Sequence, residues 1–305
     1  MNKRQLQGSL CLLLCAFLWG STFVAQQRGA ESLPPFTFLA SRSFVGGIAL
    51  LCVWRIAGRK KPTQMQKQKT NKRQFWLAGA LCGIALTVAS ACQQWGITLG
   101  TAPGRSGFFT AMYLVFVPLL SFLLYKRSPG IYAVLGSVLA TLGLYLLCGR
   151  GSGGQFALGD LFSIACGLCF AVHILIIDRF AEGLDGIRLS CLQFFVCGVL
   201  SLIAALILED PTVAGLQSAL VSILYAGIFS SAVAYTLQIY GQKHCPATLA
   251  TVLMSLESVF ALLSEAVVAA LTNKAFSFQR SELFGCTLMF VGVLLAQITK
   301  RSQAK

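Results

Sequence analysis

The sequence predicts an all-α polytopic membrane protein with ten transmembrane helices, arranged as two inverted five-helix repeats. Three observations carry this reading: apolar runs of membrane-crossing length, an internal repeat, and a lopsided placement of basic residues. Hydrophobic residues make up 56% of the chain, charged residues 11%, and mean hydropathy is +0.74. A soluble domain carries roughly a quarter charged residues, so this composition excludes an ordinary soluble fold. Crossing a hydrocarbon core of ~30 Å takes about 20 apolar residues in a helix. Runs of that kind cover about 8–26, 34–54, 75–96, 103–124, 130–148, 158–177, 187–208, 216–240, 248–270 and 281–299. Short connections fill the remainder, which leaves no room for a soluble domain.

The first span, with Lys3 and Arg4 before its apolar stretch, resembles a secretory signal. Its counterpart at 159–177, deep inside the chain, marks it instead as a spanning helix. Residues 8–51 shifted by 151 positions fall on 159–202 with eleven identities, among them Gly8/Gly159, Cys15/Cys166, Phe44/Phe195 and Gly47/Gly198. The cluster R-x-A-E-x-L occurs at 28–33 and again at 179–184, between two apolar spans each time. Later parts match at other offsets. Pro103 pairs with Pro246, and Leu119-Leu120-Ser121 with Leu262-Leu263-Ser264. Spans five and ten share G-x-x-L-x-x-x-G at Gly136–Gly143 and Gly285–Gly292. Small residues at such intervals let helices approach closely in lipid, so these two spans are expected to pack. Residues 1–150 and 151–305 are therefore read as the two halves. Five spans per half is an odd number, which turns the second half upside down. Duplicated halves of this kind are the usual build of secondary transporters, whose site lies where the halves meet.

Net charge is +14, yet placement argues against nucleic-acid binding. With a cytoplasmic N-terminus, eighteen Lys and Arg face the cytoplasm and five the other side, with Arg42 left inside the membrane. That asymmetry fits the positive-inside rule and puts both termini and the basic 59–73 stretch in the cytoplasm. The expected setting is a multi-pass protein of the cytoplasmic membrane, its basic loop touching anionic lipid. Nothing in the sequence indicates a homo-oligomer.

Two motifs are set aside on context. G-x-G-x-x-G at 149–154 binds dinucleotides only inside a βαβ unit, and here it joins two membrane helices. Cys166-x-x-Cys169 lies in an apolar span without ligands at metal spacing, so small packing residues are the better reading. No P-loop, nucleophile elbow or metal cluster is present, and no cofactor or enzymatic activity is expected.

At Trp19-Gly20-Ser21-Thr22-Phe23 the chain resembles the drug/metabolite transporter superfamily, specifically its ten-helix EamA-type members. Arg42 in span two, Pro118 in span four and Leu256-Glu257 in span nine extend the resemblance, as do the glycine patterns of spans five and ten. Ser258 replaces the usual proline, and Tyr125-Lys126 and Thr272-Asn273 replace the usual Gly-Glu pairs. The resemblance implies export of amino acids or other small metabolites through a central cavity lined by spans one to four and six to nine.

Ionisable groups inside a bilayer are functional candidates by default. At 1.5 Å per residue, Glu257 lies about 14 Å into span nine and Arg42 about 12 Å into span two, at similar depth. Glu257 is expected to carry protons or bind a substrate amine, with permanent pairing to Arg42 as the alternative. Arg42 is a candidate for holding a substrate carboxylate. His173 titrates near neutral pH when unperturbed, but it also suits a hydrogen-bonded packing role. Glu265 reads as an interfacial carboxylate. Trp19, Thr22, Gln93, Gln94, Trp95, Tyr235 and Gln238 complete the candidate lining. Aromatic faces attract ammonium groups, and amides orient carboxylates or hydroxyls. The mixture suits a zwitterionic or amphipathic small molecule. The leading expectation is a gradient-driven exporter working by alternating access. The alternatives are an importer of small organic solutes and a membrane receptor or assembly protein without transport.

Overall fold

A computed structural model describes residues 3–58, 72–101, 103–126, 129–149, 156–273 and 279–298. The described residues form helices and turns, with no strand among them. The basic stretch 59–71 and most of the 149–154 glycine motif lie outside the described residues.

Spans one to three are single helices: α1 (Lys3–Ala30), α2 (Pro35–Gly58) and α3 (Lys72–Thr98). Span four is broken into α4 (Pro103–Thr110) and α5 (Tyr113–Tyr125). Span five is α6 (Ile131–Leu144), continued by a π turn over Tyr145–Gly149. Spans six and seven are α7 (Leu158–Phe180) and α8 (Gly186–Leu208). A short α9 (Val213–Ser218) leads into span eight, built from α10 (Leu220–Tyr225), a π segment (Ala226–Ala234) and α11 (Tyr235–Gln242). Span nine is broken into α12 (Ala247–Met254) and α13 (Glu257–Leu271), and span ten is α14 (Arg280–Gln297). Nine of these segments are long and apolar enough to cross a membrane, and Ile131–Leu147 is a shorter apolar tenth.

Spans four, eight and nine depart from the uninterrupted runs that hydropathy predicts. The break residues Ala111-Met112 and Ser255-Leu256, and the π segment Ala226–Ala234, are apolar or small, so hydropathy cannot register a change in hydrogen-bond register. Proline is no help either, since Pro118 sits inside α5 and past the break.

Contacts between the halves obey one exchange rule. Swapping span one with six, two with seven, three with eight, four with nine and five with ten maps each large interface onto another or onto itself. The packing of α3 on α7 becomes that of span eight on α1. The packing of α4 and α5 on α7 becomes that of α12 and α13 on α1. Two interfaces, α2 on α8 and α6 on α14, map onto themselves, and both run antiparallel. Phe36 at the start of α2 meets Glu209 just past the end of α8, while Trp54 near the end of α2 meets Arg188 at the start of α8. Gly136 likewise faces Gly292 and Gly143 faces Gly285. Equivalent helices that run antiparallel require a two-fold axis lying across them, so the second half is the first turned over.

Packing follows the sequence's small residues. A Cβ on Gly292 would lie 2.7 Å from the Gly136 carbonyl oxygen, and one on Gly136 would lie 2.6 Å from that of Gly292. The expected glycine seam of spans five and ten is therefore a backbone-to-backbone contact. Large apolar side chains such as Val221, Leu271 and Ile207 point outward, while Arg42, Gln93, Gln238 and Glu257 are buried inside. That inside-out distribution suits a bundle solvated by lipid around a polar centre.

Candidate functional site

The broken spans meet in the middle of the bundle. Glu257 is the first residue of α13 and Tyr113 the first of α5, so each opens the second piece of its broken span. The Tyr113 hydroxyl donates to Glu257 Oε1 at 3.1 Å. Gly20 lets α1 lie directly on this junction, since a Cβ there would stand 2.5 Å from the Glu257 carbonyl oxygen.

Around that pair lies a cavity lined by spans one, two, three, four, six, eight and nine. Span one supplies Trp19, Phe23 and Gln26, and span two supplies Arg42. Gln93 comes from α3, Thr110 and Tyr113 from span four, and Phe170 and Ile174 from α7. Ser230, Tyr235 and Gln238 come from span eight and Glu257 from span nine. The π segment sets the span-eight groups. Its register carries the Tyr235 amide back to the Ser230 carbonyl, a wider turn of the kind that recurs at functional sites.

The cavity is chemically unfinished. Arg42 is 5% exposed and forms no hydrogen bond or ion pair with any described residue. Tyr235 lines the same cavity. Trp19 Nε1, Gln26 Oε1 and Gln238 Oε1 are buried without partners. An unpaired guanidinium, one indole donor and two amide acceptors leave a buried site with unmet hydrogen bonds, each costly unless a ligand or water meets it. The free volume is about 30 Å³, room for a water or two and too little for an amino acid. Solute admission therefore requires the helices to part.

Of the residues singled out in the sequence, Glu257, Arg42, Trp19, Gln93, Tyr235 and Gln238 are brought together here. The pairing of Arg42 with Glu257 does not form; the carboxylate takes Tyr113 as partner instead. His173 is fully buried beside Tyr235, with ring centroids 5.9 Å apart, and its Nε2 meets Gln193 Oε1 at 3.1 Å. It stands behind the lining. Thr22 turns its hydroxyl to the Leu18 carbonyl. Trp95 packs between Phe36 and Phe162. Gln94 is buried outside the lining, with its amide nitrogen unpartnered. Tyr113, Gln26 and Ser230 were not anticipated. The repeat offset that joins Pro103 to Pro246 carries Glu257 to Leu114, one residue from Tyr113, and that was the available signal.

Among the described residues no cluster of His, Cys, Asp or Glu could hold a metal ion. Cys166 and Cys169 are free thiols.

A polytopic helical bundle with a small central cavity that holds buried polar groups and is lined by spans of both halves defines a membrane transporter. The chain belongs to the EamA-like transporter family, whose profile matches residues 6–149 and again 157–297. It is 28% identical to an uncharacterized transporter of Archaeoglobus fulgidus over 97% of this chain and 87% of the relative. It is 26% identical to the uncharacterized transporter YwfM of Bacillus subtilis, over 97% of this chain and 95% of that one. A third relative, from Chlamydia trachomatis, is named an S-adenosylmethionine/S-adenosylhomocysteine transporter and is 26% identical over 74% of this chain and 71% of its own length. A solved crystal structure with 20% sequence identity superposes with a TM-score of 0.74 over 95% of this chain and 98% of the other, which shows a shared fold.

Proposed function

We propose that this transporter exports a small zwitterionic metabolite, an amino acid or a derivative of one, from the cytoplasm by alternating access. The single observation behind the substrate class is the cavity's charge pattern: an unpaired Arg42 guanidinium and a Glu257 carboxylate in one buried chamber. Arg42 receives the substrate carboxylate, in the geometry guanidinium groups favour. Glu257 receives either the substrate amine or a proton, and releasing one for the other couples transport to a proton gradient. Trp19 presents a donor and an aromatic wall, and Gln26 and Gln238 accept from the substrate's polar groups. The halves 1–150 and 151–305 supply two related faces that open in turn.

The relative named for S-adenosylmethionine supports the class, because that molecule carries an amino-acid ammonium and carboxylate. Export direction rests on the family resemblance. Placement in the cytoplasmic membrane with both termini inside rests on the eighteen-to-five division of basic residues.

Counterflow in proteoliposomes tests the reading. Vesicles loaded with zwitterionic amino acids or S-adenosylmethionine should exchange them, while methyl esters and deaminated analogues should exchange poorly. Esters moving as fast as the free acids would overturn the role given to Arg42. Cells over-producing the chain should release the same compound to the medium, and accumulation inside them would reverse the direction.

A further inference from the structure

A second concavity lies on the outer face of the bundle, between α1, α10 and α13. Its volume is about 410 Å³, much larger than the central chamber. The rim residues Phe17, Val221 and Val267 are exposed large hydrophobics, so the groove opens sideways, toward lipid. Of its polar groups, the Ser21 and Tyr225 hydroxyls meet at 2.7 Å and Ser21 also donates to the Leu18 carbonyl, while Ser222 and Ser264 add two further hydroxyls to the lining. Phe17, Val24, Leu263, Val267 and Val268 make most of the groove wall apolar, which suits an apolar occupant.

Length and charge identify that occupant. The α1 wall runs without a break from Phe17 to Arg28, which at 1.5 Å per residue is about 16 Å. Half of a ~30 Å hydrocarbon core is about 15 Å, the depth of one leaflet's acyl chains. Arg28 closes the groove in the last turn of α1, exposed, with no hydrogen bond or ion pair to any described residue, Glu31 included. We propose that this groove is a site for an anionic phospholipid, one acyl chain lying along α1 and the headgroup phosphate at Arg28. The opposite face of α1 carries Trp19, Phe23 and Gln26 into the central cavity, so one helix is the shared wall of the lipid groove and the solute chamber. Lipid in the groove supports that wall.

Native mass spectrometry of the full chain in mild detergent, with equimolar phosphatidylglycerol and phosphatidylcholine, tests the site. One basic residue near a membrane surface favours anionic lipid by about fivefold, so the wild type should retain phosphatidylglycerol over phosphatidylcholine by about that factor. Arg28→Gln, at an exposed position, should keep bound lipid and lose the preference. Ala25→Phe, which fills the groove, should lose retained lipid of both kinds while staying monodisperse. An unchanged preference in Arg28→Gln would overturn the headgroup contact. Undiminished lipid in Ala25→Phe would overturn the groove, as would a dimer mass in the wild type that Ala25→Phe abolishes, since a second copy would then be the occupant.

Discussion

Tyr113 and Glu257 stand one residue out of register in the repeat, and a 3.1 Å hydrogen bond joins them. Each opens the second piece of a broken span. The bond thus links the two discontinuities through the centre of the bundle and orients the carboxylate that faces the cavity. Helix breaks of this type, near the repeat interface, are where transporters of inverted build place their binding groups.

Removing the donor should weaken function more than folding. Tyr113→Phe keeps the ring's packing and leaves Glu257 without its partner. Hydrogen bonds to charged groups contribute about 1.5–3 kcal/mol, so gradient-driven uptake should fall about tenfold or more while the protein remains monodisperse. Initial uptake rates in vesicles check this, and a rate within twofold of wild type would contradict it.

Arg42 should matter for one end of the substrate. Truncating one partner of a buried charged contact costs about 2–5 kcal/mol. Arg42→Gln should therefore lower affinity for carboxylate-bearing substrates about thirtyfold or more and leave the weak binding of methyl esters unchanged. Equal losses for acid and ester would point to a general packing defect.

The glycine seam between α6 and α14 should tolerate no side chain. Gly292→Leu would drive atoms into the Gly136 carbonyl and the Ala140 amide, backbone that cannot rotate away. Overpacking of this kind costs about 1–3 kcal/mol, read as a lower thermal midpoint in detergent and reduced monodisperse yield. The midpoint of Val291→Leu, on the exposed neighbouring position, should not move.

Glu209 ties α2 to the segment after α8. Its carboxylate accepts from the Phe36 and Thr37 amides at 2.8 Å each and from the Thr37 hydroxyl at 2.7 Å. It serves as a helix N-cap borrowed from the other half. Glu209→Ala should cost about 0.5–2 kcal/mol, the usual range for a lost cap, with uptake per folded molecule preserved. A loss of transport without any drop in thermal midpoint would assign Glu209 a different role.

Much of this was legible in the sequence. Apolar runs located the spans, the 151-residue offset revealed the duplication, and the odd number of spans per half set the inversion. Arg42 and Glu257 stood out because a bilayer penalises every charge it contains. Side-chain direction was less legible. Trp95 and Thr22 sit on the same helices as Gln93 and Trp19 yet turn away from the cavity, because a helix rotates 100° per residue and hydropathy reports no face in an all-apolar span. Tyr113 was missed for a related reason. Tyrosine is common in membrane helices, and only the break at residues 111–112 brings its hydroxyl to Glu257. The partner of Glu257 was a hydroxyl, not the guanidinium that equal depth suggested, since depth fixes one coordinate and leaves the other two open.

The role of Glu257 in coupling is tested most directly by one comparison on reconstituted Glu257→Gln. The amide still accepts from Tyr113 and fills the same space, so the variant should fold. Substrate exchange and pH-gradient-driven uptake are measured on the same vesicles. The expected result is exchange close to wild type with driven accumulation abolished. Driven accumulation equal to wild type would contradict the coupling role.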